Sequence, residues 1–305
     1  MTTITKAHLA VLGANIIFGL NYSTVKFLTS NYMHPWAMNL VRIAVSAVLL
    51  WLLFFFQKDG FGFRKKDAGR FVICALTGVA INQLLFTKGL SLTTSIHASL
   101  LALGTPIFIT AIAAWVLNET FTWNKAIGLL LGVGGAMLLI LSKTNHVSPN
   151  AAASLPGDIM VIVNAISYAF YFVWVKPLMN SYRAVHVLRW TFTIGVFFIL
   201  PFGLQPAIET NWQALTINAW LALAFVVIGA TFFAYLLNIY GLKVLGPSIT
   251  GTYIYTQPIF AAVIGIIFLG EPLGWVQVMC ALMIGLGVYV VNRKTKLRGN
   301  KSMVI

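Results

Sequence analysis

Only 9% of the 305 residues are charged and 59% are hydrophobic, whereas a soluble domain carries about 25% charged residues. A soluble fold is therefore excluded. The net charge of +14 does not indicate nucleic-acid binding, because the basic residues stand in short gaps between apolar runs rather than on one face of a soluble fold. The composition predicts an integral membrane protein that has the lipid bilayer as its surroundings and no nucleic-acid partner.

Ten apolar runs follow one another along the chain, and each can cross a hydrocarbon core about 30 Å thick. Lipid offers no hydrogen-bond partners to the backbone, so each run is expected to be a helix, including the first, which is read as a retained helix and not a signal peptide. The predicted spans are residues 8–28, 36–56, 68–88, 94–117, 123–141, 157–176, 185–204, 218–240, 247–269 and 274–292.

Lysine and arginine collect in alternate gaps, as expected when basic loops stay on the cytoplasmic side. With the N-terminus inside, the basic gap at 58–70 and the basic tail at 293–301 both face the cytoplasm. Apart from two arginines inside predicted helices, only Lys26, Lys88 and Lys143 lie toward the outside. We therefore predict a multi-pass protein of the inner (cytoplasmic) membrane with both termini in the cytoplasm.

The second half of the sequence repeats landmarks of the first half. The related pairs are Gly89 and Gly241, Pro106 and Pro258, Glu119 and Glu271, and Trp123 and Trp275 at an offset of 152, and Arg42 and Arg189 at an offset of 147. The chain is therefore divided into residues 1–145, the first five-helix repeat, and residues 146–305, the second repeat with its basic cytoplasmic tail.

Because five is an odd number, the second repeat must enter the membrane from the opposite side. The predicted fold is an all-α polytopic membrane protein, with ten transmembrane helices arranged as two inverted five-helix repeats. Inverted repeats suit alternating access around a site near the membrane midplane, since two equivalent halves can exchange conformations. A channel or a receptor has less need of such a pair, so the repeat favours a transporter.

Each half ends in a related stretch followed by a glycine-rich helix. Residues 117–123 read Leu-Asn-Glu-Thr-Phe-Thr-Trp, and residues 269–275 read Leu-Gly-Glu-Pro-Leu-Gly-Trp. This duplicated pattern resembles the EamA-type family of the drug/metabolite transporter superfamily over nearly the whole chain, although Asn118 and Thr120 replace the glycine and proline around Glu119. The resemblance implies a secondary carrier of a family that commonly exports amino acids and other metabolites.

Polar side chains inside the predicted spans are candidates for lining a substrate pathway, because such groups are costly in lipid unless they are paired or hydrated. Helical spacing groups many of them on common faces, and of the adjacent Asn82 and Gln83 at most one is expected to face a shared cavity. The alternative is that these groups only join neighbouring helices. The cavity candidates are Asn15, Tyr22, Asn82, His97, Asn164, Tyr168, Tyr171, Tyr235, Asn238, Tyr253 and Gln257.

Other residues are candidates for gating or hinge movement. Arg42 and Arg189 lie within their helices, and the orientation pairs Arg42 with Glu271 and Arg189 with Glu119 unless the arginines snorkel to the interface. Matching prolines in the middle of spans 4 and 9, Pro106 and Pro258, predict hinges or packing kinks. His97 is either a proton relay or a structural histidine.

The six carboxylates avoid the centres of the spans, which disfavours a multiply cationic substrate. We predict a small neutral or zwitterionic, amino-acid-like metabolite as substrate, most simply exported. A channel or receptor and a membrane-embedded enzyme are the alternatives, but His-Glu-x-x-His and Gly-x-Ser-x-Gly motifs are absent. No catalytic residue, metal or cofactor is expected. The pair Gly128-x-x-x-Gly132 is compatible with a dimer face, but packing between helices of the same chain is the favoured interpretation, and a homodimer and a monomer are equally plausible.

Overall fold

The computed structural model describes residues 2–55, 63–116, 123–141, 154–271 and 273–292, and the secondary structure of these residues is helical. Seven helices are long and apolar enough to cross a membrane, and shorter apolar helices cover 95–109, 126–135 and 275–287. We name the ten crossings α1 (Thr3–Asn31), α2 (Pro35–Phe55), α3 (Lys65–Leu92), α4 (segments Ser95–Ala102 and Thr105–Val116), α5 (Trp123–Leu141), α6 (Leu155–Ser181), α7 (Ala184–Glu209), α8 (Ile217–Gly246), α9 (Ile249–Leu269) and α10 (Trp275–Asn292). The predicted all-helical fold is confirmed.

Four of these helices begin at a serine or threonine cap. The capping residues are Thr2 for α1, Thr94 for α4, Ser154 for α6 and Thr216 for α8. In each case the side-chain oxygen accepts a hydrogen bond from the backbone N–H three residues later, which satisfies one of the unpaired donors of the first turn.

Helix packing follows a pseudo-two-fold pattern. The helix α2 packs on α7 and α5 packs on α10, and each of these pairs joins equivalent helices of the two repeats. Contacts of α3 with α6 and of α4 with α6 correspond to those of α8 with α1 and of α9 with α1. Exchanging each helix for its partner five places along therefore preserves these principal contacts, as expected of two related halves.

Two helices are interrupted at equivalent positions. The helix α4 stops after Ala102 and resumes at Thr105, while α9 contains a 3-10 turn, Tyr253–Thr256, before its segment Gln257–Leu269. Both prolines predicted to lie in mid-helix instead occupy the first turn of the second segment, where the missing N–H breaks no helical hydrogen bond. The helices are therefore broken just before the prolines rather than bent at them.

Wider π-helical turns also occur in both repeats. They cover Leu76–Ala80 in α3 and Phe225–Phe233 in α8, and the first aligns with part of the second at the repeat offset of 152. The Thr231 hydroxyl donates to the Val226 carbonyl oxygen at 2.7 Å within the second one. A π turn inserts residues into a helix and rotates the side chains that follow, so simple helical spacing fails across it.

Glycine allows α5 and α10 to approach closely. A Cβ atom added to Gly287 would lie 2.6 Å from the Gly128 oxygen and 2.9 Å from the Gly132 nitrogen. The pair Gly128-x-x-x-Gly132 is thus packed against α10 of the same chain, which is the interpretation favoured from the sequence.

The end of the bundle near the start of α4 is held by a buried glutamate. Gly270, with φ 63°, ends α9 in the left-handed conformation. Glu271 then accepts hydrogen bonds from the N–H groups of Ser95 at 2.8 Å and Ile96 at 3.0 Å. A carboxylate at these free N–H groups is stabilised by the helix dipole. Gly270 and Glu271 therefore tie the end of α9 to the start of α4.

This contact replaces the ion pair predicted for Glu271. Both Glu271 oxygens are bonded to the backbone of α4, while the Arg42 Nε donates to Thr231 Oγ1 at 2.8 Å. Within the described parts of the chain no ion pair joins Arg42 to Glu271. The other predicted pair cannot be compared, because Glu119 lies outside the described residues.

The opposite end, which we call the basic end, is assembled around Tyr182, between α6 and α7. The Tyr182 hydroxyl donates to Asp67 Oδ2 at 2.5 Å, and the Lys243 ammonium donates to the Tyr182 carbonyl at 3.3 Å. The Arg64 guanidinium lies 5.6 Å from the ring centre. Burial raises the pKa of Tyr182, and the bond to Asp67 acts in the same direction, so the phenol remains a donor.

Replacing Gly287 by valine is expected to destabilise the protein by about 1–3 kcal/mol, because the added side chain overlaps the α5 backbone. The measurement is thermal unfolding in detergent. Gly285→Val is the matched control, since nothing lies within 4 Å of a Cβ at Gly285. Equal melting temperatures for the two variants would contradict the close packing of α5 on α10.

Removing the Glu271 carboxylate in Glu271→Ala is expected to lower the free energy of unfolding by about 2–4 kcal/mol, since two charge-assisted hydrogen bonds are lost. Glu271→Gln keeps one acceptor oxygen and should lose less. Denaturant or thermal unfolding in detergent checks the order of the three proteins. Glu209→Ala removes an exposed acid at the same end and should change the stability by less than about 0.5 kcal/mol.

Candidate solute-binding cavity

A cavity of about 90 Å³ lies between the two repeats, near the middle of the helices that surround it. It is bounded by α1, α2, α3, α6 and α8 and by the interrupted regions of α4 and α9. Its lining residues are Asn15, Phe18, Asn21, Tyr22, Arg42, Asn82, Gln83, Phe86, Ala102, Thr105, Asn164, Tyr168, Phe172, Tyr235, Asn238, Ile254 and Gln257.

Many of these residues occupy equivalent positions in the two repeats. The lining pairs are Phe18 and Tyr168, Tyr22 and Phe172, Gln83 and Tyr235, Phe86 and Asn238, Ala102 and Ile254, and Thr105 and Gln257. The cavity therefore lies on the pseudo-two-fold axis, where both halves contribute the same backbone positions. The side chains at these positions differ, so the backbone around the cavity is nearly symmetric while the chemistry of its wall is not.

The broken helix α9 is joined to α1 by a chain of amides at the cavity wall. Gln257 Nε2 donates to Asn15 Oδ1 at 2.7 Å, and Asn15 Nδ2 donates to the Val11 carbonyl at 2.8 Å. Tyr22 completes the contact by donating to Gln257 Oε1 at 3.4 Å. A Cβ atom at Gly19 would lie only 2.8 Å from the Gln257 carbonyl oxygen, so a glycine is required where α1 passes the break.

On the other side of the cavity, polar contacts join α3 to α6 and α8. Gln83 Nε2 donates to Asn82 Oδ1 at 2.8 Å and also contacts the Tyr235 hydroxyl. Asn164 Nδ2 donates to the Asn82 carbonyl at 2.8 Å. The expectation that only one of Asn82 and Gln83 faces the cavity is wrong, because both residues line it.

A further hydrogen bond crosses from α8 to α6, where Asn238 Nδ2 donates to the Tyr168 hydroxyl at 3.1 Å. Phe18 packs edge-on against Tyr235 with ring centres 5.6 Å apart, and Tyr22 does the same with Phe86 at 5.3 Å. Aromatic rings and amide groups thus alternate around the wall, which suits a small solute with both polar and apolar parts.

The two repeat-related arginines have different surroundings. Arg42 is 2% exposed and lines the cavity, with its Nε bonded to Thr231. Arg189 is 1% exposed and lies over the rings of Phe54 and Trp51, at 4.2 and 4.7 Å from their centres. Neither arginine snorkels to the surface.

Three cavity candidates lie elsewhere. His97 is 3.6 Å from Asp158 at the end of the bundle where Glu271 lies, and Tyr253 contacts His8 Nδ1 at 2.7 Å beside α1. Tyr171 packs against α3 at Gly78, where a Cβ atom would overlap its ring. Tyr253 lies in the 3-10 turn of α9, where regular helical spacing does not apply. His97 and Tyr171 lie in regular helix, and periodicity alone did not show that their side of the helix faces away from the cavity.

His97 belongs to a buried polar cluster rather than to the cavity. Asp158 accepts a hydrogen bond from the Thr93 hydroxyl at 2.7 Å, and the Lys26 ammonium donates to the Thr93 carbonyl at 2.6 Å. This cluster joins α1, α3, α4 and α6 at one end of the bundle.

Sequence reasoning missed several lining residues. Asn21 stands beside Tyr22 but falls outside the predicted stripe of α1, and Phe18, Phe86 and Phe172 carry no polar signal. Thr105 was visible only as the repeat partner of Gln257, which is the one signal that identifies it.

Similar proteins are found across bacteria and archaea. An uncharacterized transporter, YetK of Bacillus subtilis (strain 168), is 25% identical over 95% of this chain and 86% of its own length. An uncharacterized transporter of Archaeoglobus fulgidus is 25% identical, with coverage of 93% and 98%. A probable terminal-alkyne amino-acid exporter of Streptantibioticus cattleyicolor is 26% identical, with coverage of 76% and 75%.

One solved crystal structure shares the fold, with a TM-score of 0.62 and 14% identity over 93% of this chain and 96% of the other. The family model described as the EamA-like transporter family matches residues 5–141 and again residues 155–293. Both copies fall on the two halves that surround the cavity, and the chain therefore belongs to the EamA-like transporter family.

Proposed function

We propose that this chain is a secondary transporter that moves a small neutral or zwitterionic, amino-acid-like metabolite across the cytoplasmic membrane by alternating access, in the direction of export. The observation that carries the proposal is the polar and aromatic cavity on the pseudo-two-fold axis, bounded by two helices that are broken at equivalent positions.

The broken helices give this cavity a means of opening. Irregular backbone is tolerated at membrane depth where it borders protein or a polar cavity, and transporters use it for binding sites. We assign the hinges to the interruptions before Pro106 and Pro258, because each separates two helical segments that can tilt independently. Movement of one segment would open the cavity to one side, and the equivalent movement in the other repeat would open it to the other side.

The binding contacts are proposed to come from the polar wall. Asn15 and Gln257 offer amide groups beside the break of α9, while Tyr235 and Asn238 offer a hydroxyl and an amide from α8. No carboxylate lines the cavity among the described residues. This lining supports a neutral or zwitterionic solute better than a multiply cationic one, and the relative named as a probable amino-acid exporter supports the same class and direction.

The orientation proposed from the sequence places the basic end in the cytoplasm. The structure groups Arg64 and Lys243 around Tyr182 at this end, and the positive-inside rule favours it as the cytoplasmic side. The division into repeats 1–145 and 146–305 is supported by the double family match.

Purified protein in liposomes preloaded with an amino-acid mixture is expected to show saturable counterflow of external labelled amino acid, which a channel would not show. Gln257→Leu should reduce the exchange rate by at least about tenfold, because the hydrogen bonds with Asn15 and Tyr22 are lost beside the hinge. Gln205→Leu, at an exposed glutamine outside the cavity, is the control and should exchange at the wild-type rate. Flux without saturation or exchange stimulation would contradict a carrier.

The orientation is tested with single cysteines. Lys6→Cys lies at the exposed start of α1, and Gln213→Cys lies in the exposed connection before α8 at the other end. A membrane-impermeant maleimide on intact cells should label Gln213→Cys but not Lys6→Cys. The native thiols, Cys74 and Cys280, are buried and give little background. The reverse labelling pattern would show that the basic end faces outward.

A further inference from the structure

We infer that the cavity recognises the two charged groups of an α-amino acid separately, with Arg42 binding the carboxylate and the amide oxygens of Asn21 and Gln83 binding the ammonium group. This inference rests on the proposed transport function and names its substrate class and subsites.

The guanidinium of Arg42 is held by one hydrogen bond, and not all of its N–H donors have a partner. Its Nε donates to Thr231 Oγ1 at 2.8 Å, and the Thr231 proton is itself committed to the Val226 carbonyl. Its Nη1 is buried and has no hydrogen-bond partner. A buried guanidinium without a counter-charge is costly at membrane depth, and a carboxylate is the partner that matches its planar donors.

The protein does not provide that carboxylate within the described residues. Among them Arg42 is the only charged side chain that lines the cavity. Glu271 is occupied by the N–H groups of α4, and Asp158 is occupied by Thr93 and lies beside His97. A solute carboxylate would therefore meet a positive group that no neighbouring acid of the described chain neutralises.

One difference between the repeats accompanies the different placement of the two arginines. At the repeat offset of 152, the position of Thr231 in α8 corresponds to Val79 in α3. Val79 has no hydroxyl, and its methyl groups pack where a Cβ atom at Gly195 would lie. Arg189 lies instead over Trp51 and Phe54, so the cavity has a single carboxylate site.

The ammonium group would bind to neutral acceptors. Gln83 uses its amide nitrogen on Asn82 and Tyr235, which leaves Oε1 buried without a partner. Asn21 Oδ1 is likewise buried without a partner, and both residues line the cavity. Amide oxygens accept hydrogen bonds from an ammonium group without adding a negative charge that would bind Arg42 in place of the solute.

The test compares three related solutes in the counterflow assay: an amino acid, its decarboxylated amine and its des-amino carboxylic acid. Wild-type protein should exchange the amino acid at least about tenfold faster than either analogue, since each analogue lacks one of the two charged contacts. Arg42→Gln should reduce the ratio of amino-acid to amine flux about tenfold. Gln83→Leu should reduce the ratio of amino-acid to des-amino-acid flux.

Flux ratios are compared because a folding defect lowers the flux of all three solutes together. Arg189→Gln is the matched control and should leave both ratios unchanged. If wild-type protein exchanges the amine as fast as the amino acid, or if Arg42→Gln leaves the first ratio unchanged, the inference is overturned while the carrier function stands. If wild-type protein exchanges no solute on a broad panel, the proposed function itself fails.

Discussion

The structure depends on the need to pair every backbone hydrogen-bonding group where water is absent. In lipid a continuous helix meets this need within its own segment, so a transmembrane helix can be broken only where protein or a polar cavity supplies partners. Both interruptions, before Thr105 and before Gln257, lie at the cavity on the pseudo-two-fold axis. The amide chain from Gln257 to Asn15 and Val11 shows how the neighbouring helix provides polar contacts at such a point.

The pseudo-two-fold symmetry fixes where the site lies, while differences between the repeats fix its chemistry. Symmetry brings equivalent backbone positions to the cavity, such as those of Gln83 and Tyr235 or of Thr105 and Gln257. If equivalent side chains were identical, the site would suit a symmetric ligand. The first pair combines an amide with a phenol, and the second combines a hydroxyl with an amide. The two sides of the cavity can therefore contact different ends of one small molecule.

The sequence was sufficient for the ten helices and the repeats, because hydrophobic length and residue offsets are set locally and do not depend on packing. It also identified most of the polar wall, since polar side chains inside apolar spans stand out whatever the local helix geometry, as Asn15, Tyr22 and Gln257 do. It failed to select the correct residue among neighbours. Gln83 follows the π turn of α3, which rotates the side chains after it, so the expectation that only one of Asn82 and Gln83 faces the cavity did not hold. Asn21 and Tyr171 lie on the regular helices α1 and α6, where periodicity alone does not show which side of the helix meets the cavity.

The π turn in α8 connects this irregularity to the chemistry of the site. The Thr231 hydroxyl donates to the Val226 carbonyl, five residues earlier, which is the spacing of a π turn. With its proton used in this way, the Thr231 oxygen accepts a hydrogen bond from Arg42 Nε. In the other repeat the shorter π turn of α3 carries Val79 at this position, so no hydroxyl is available there. The arginine that lines the cavity therefore has a threonine acceptor, and the one that packs on aromatic rings has a valine at the equivalent position. Duplication supplied two equivalent backbone arrangements, and divergence of side chains at such positions makes the two sides of the cavity chemically different.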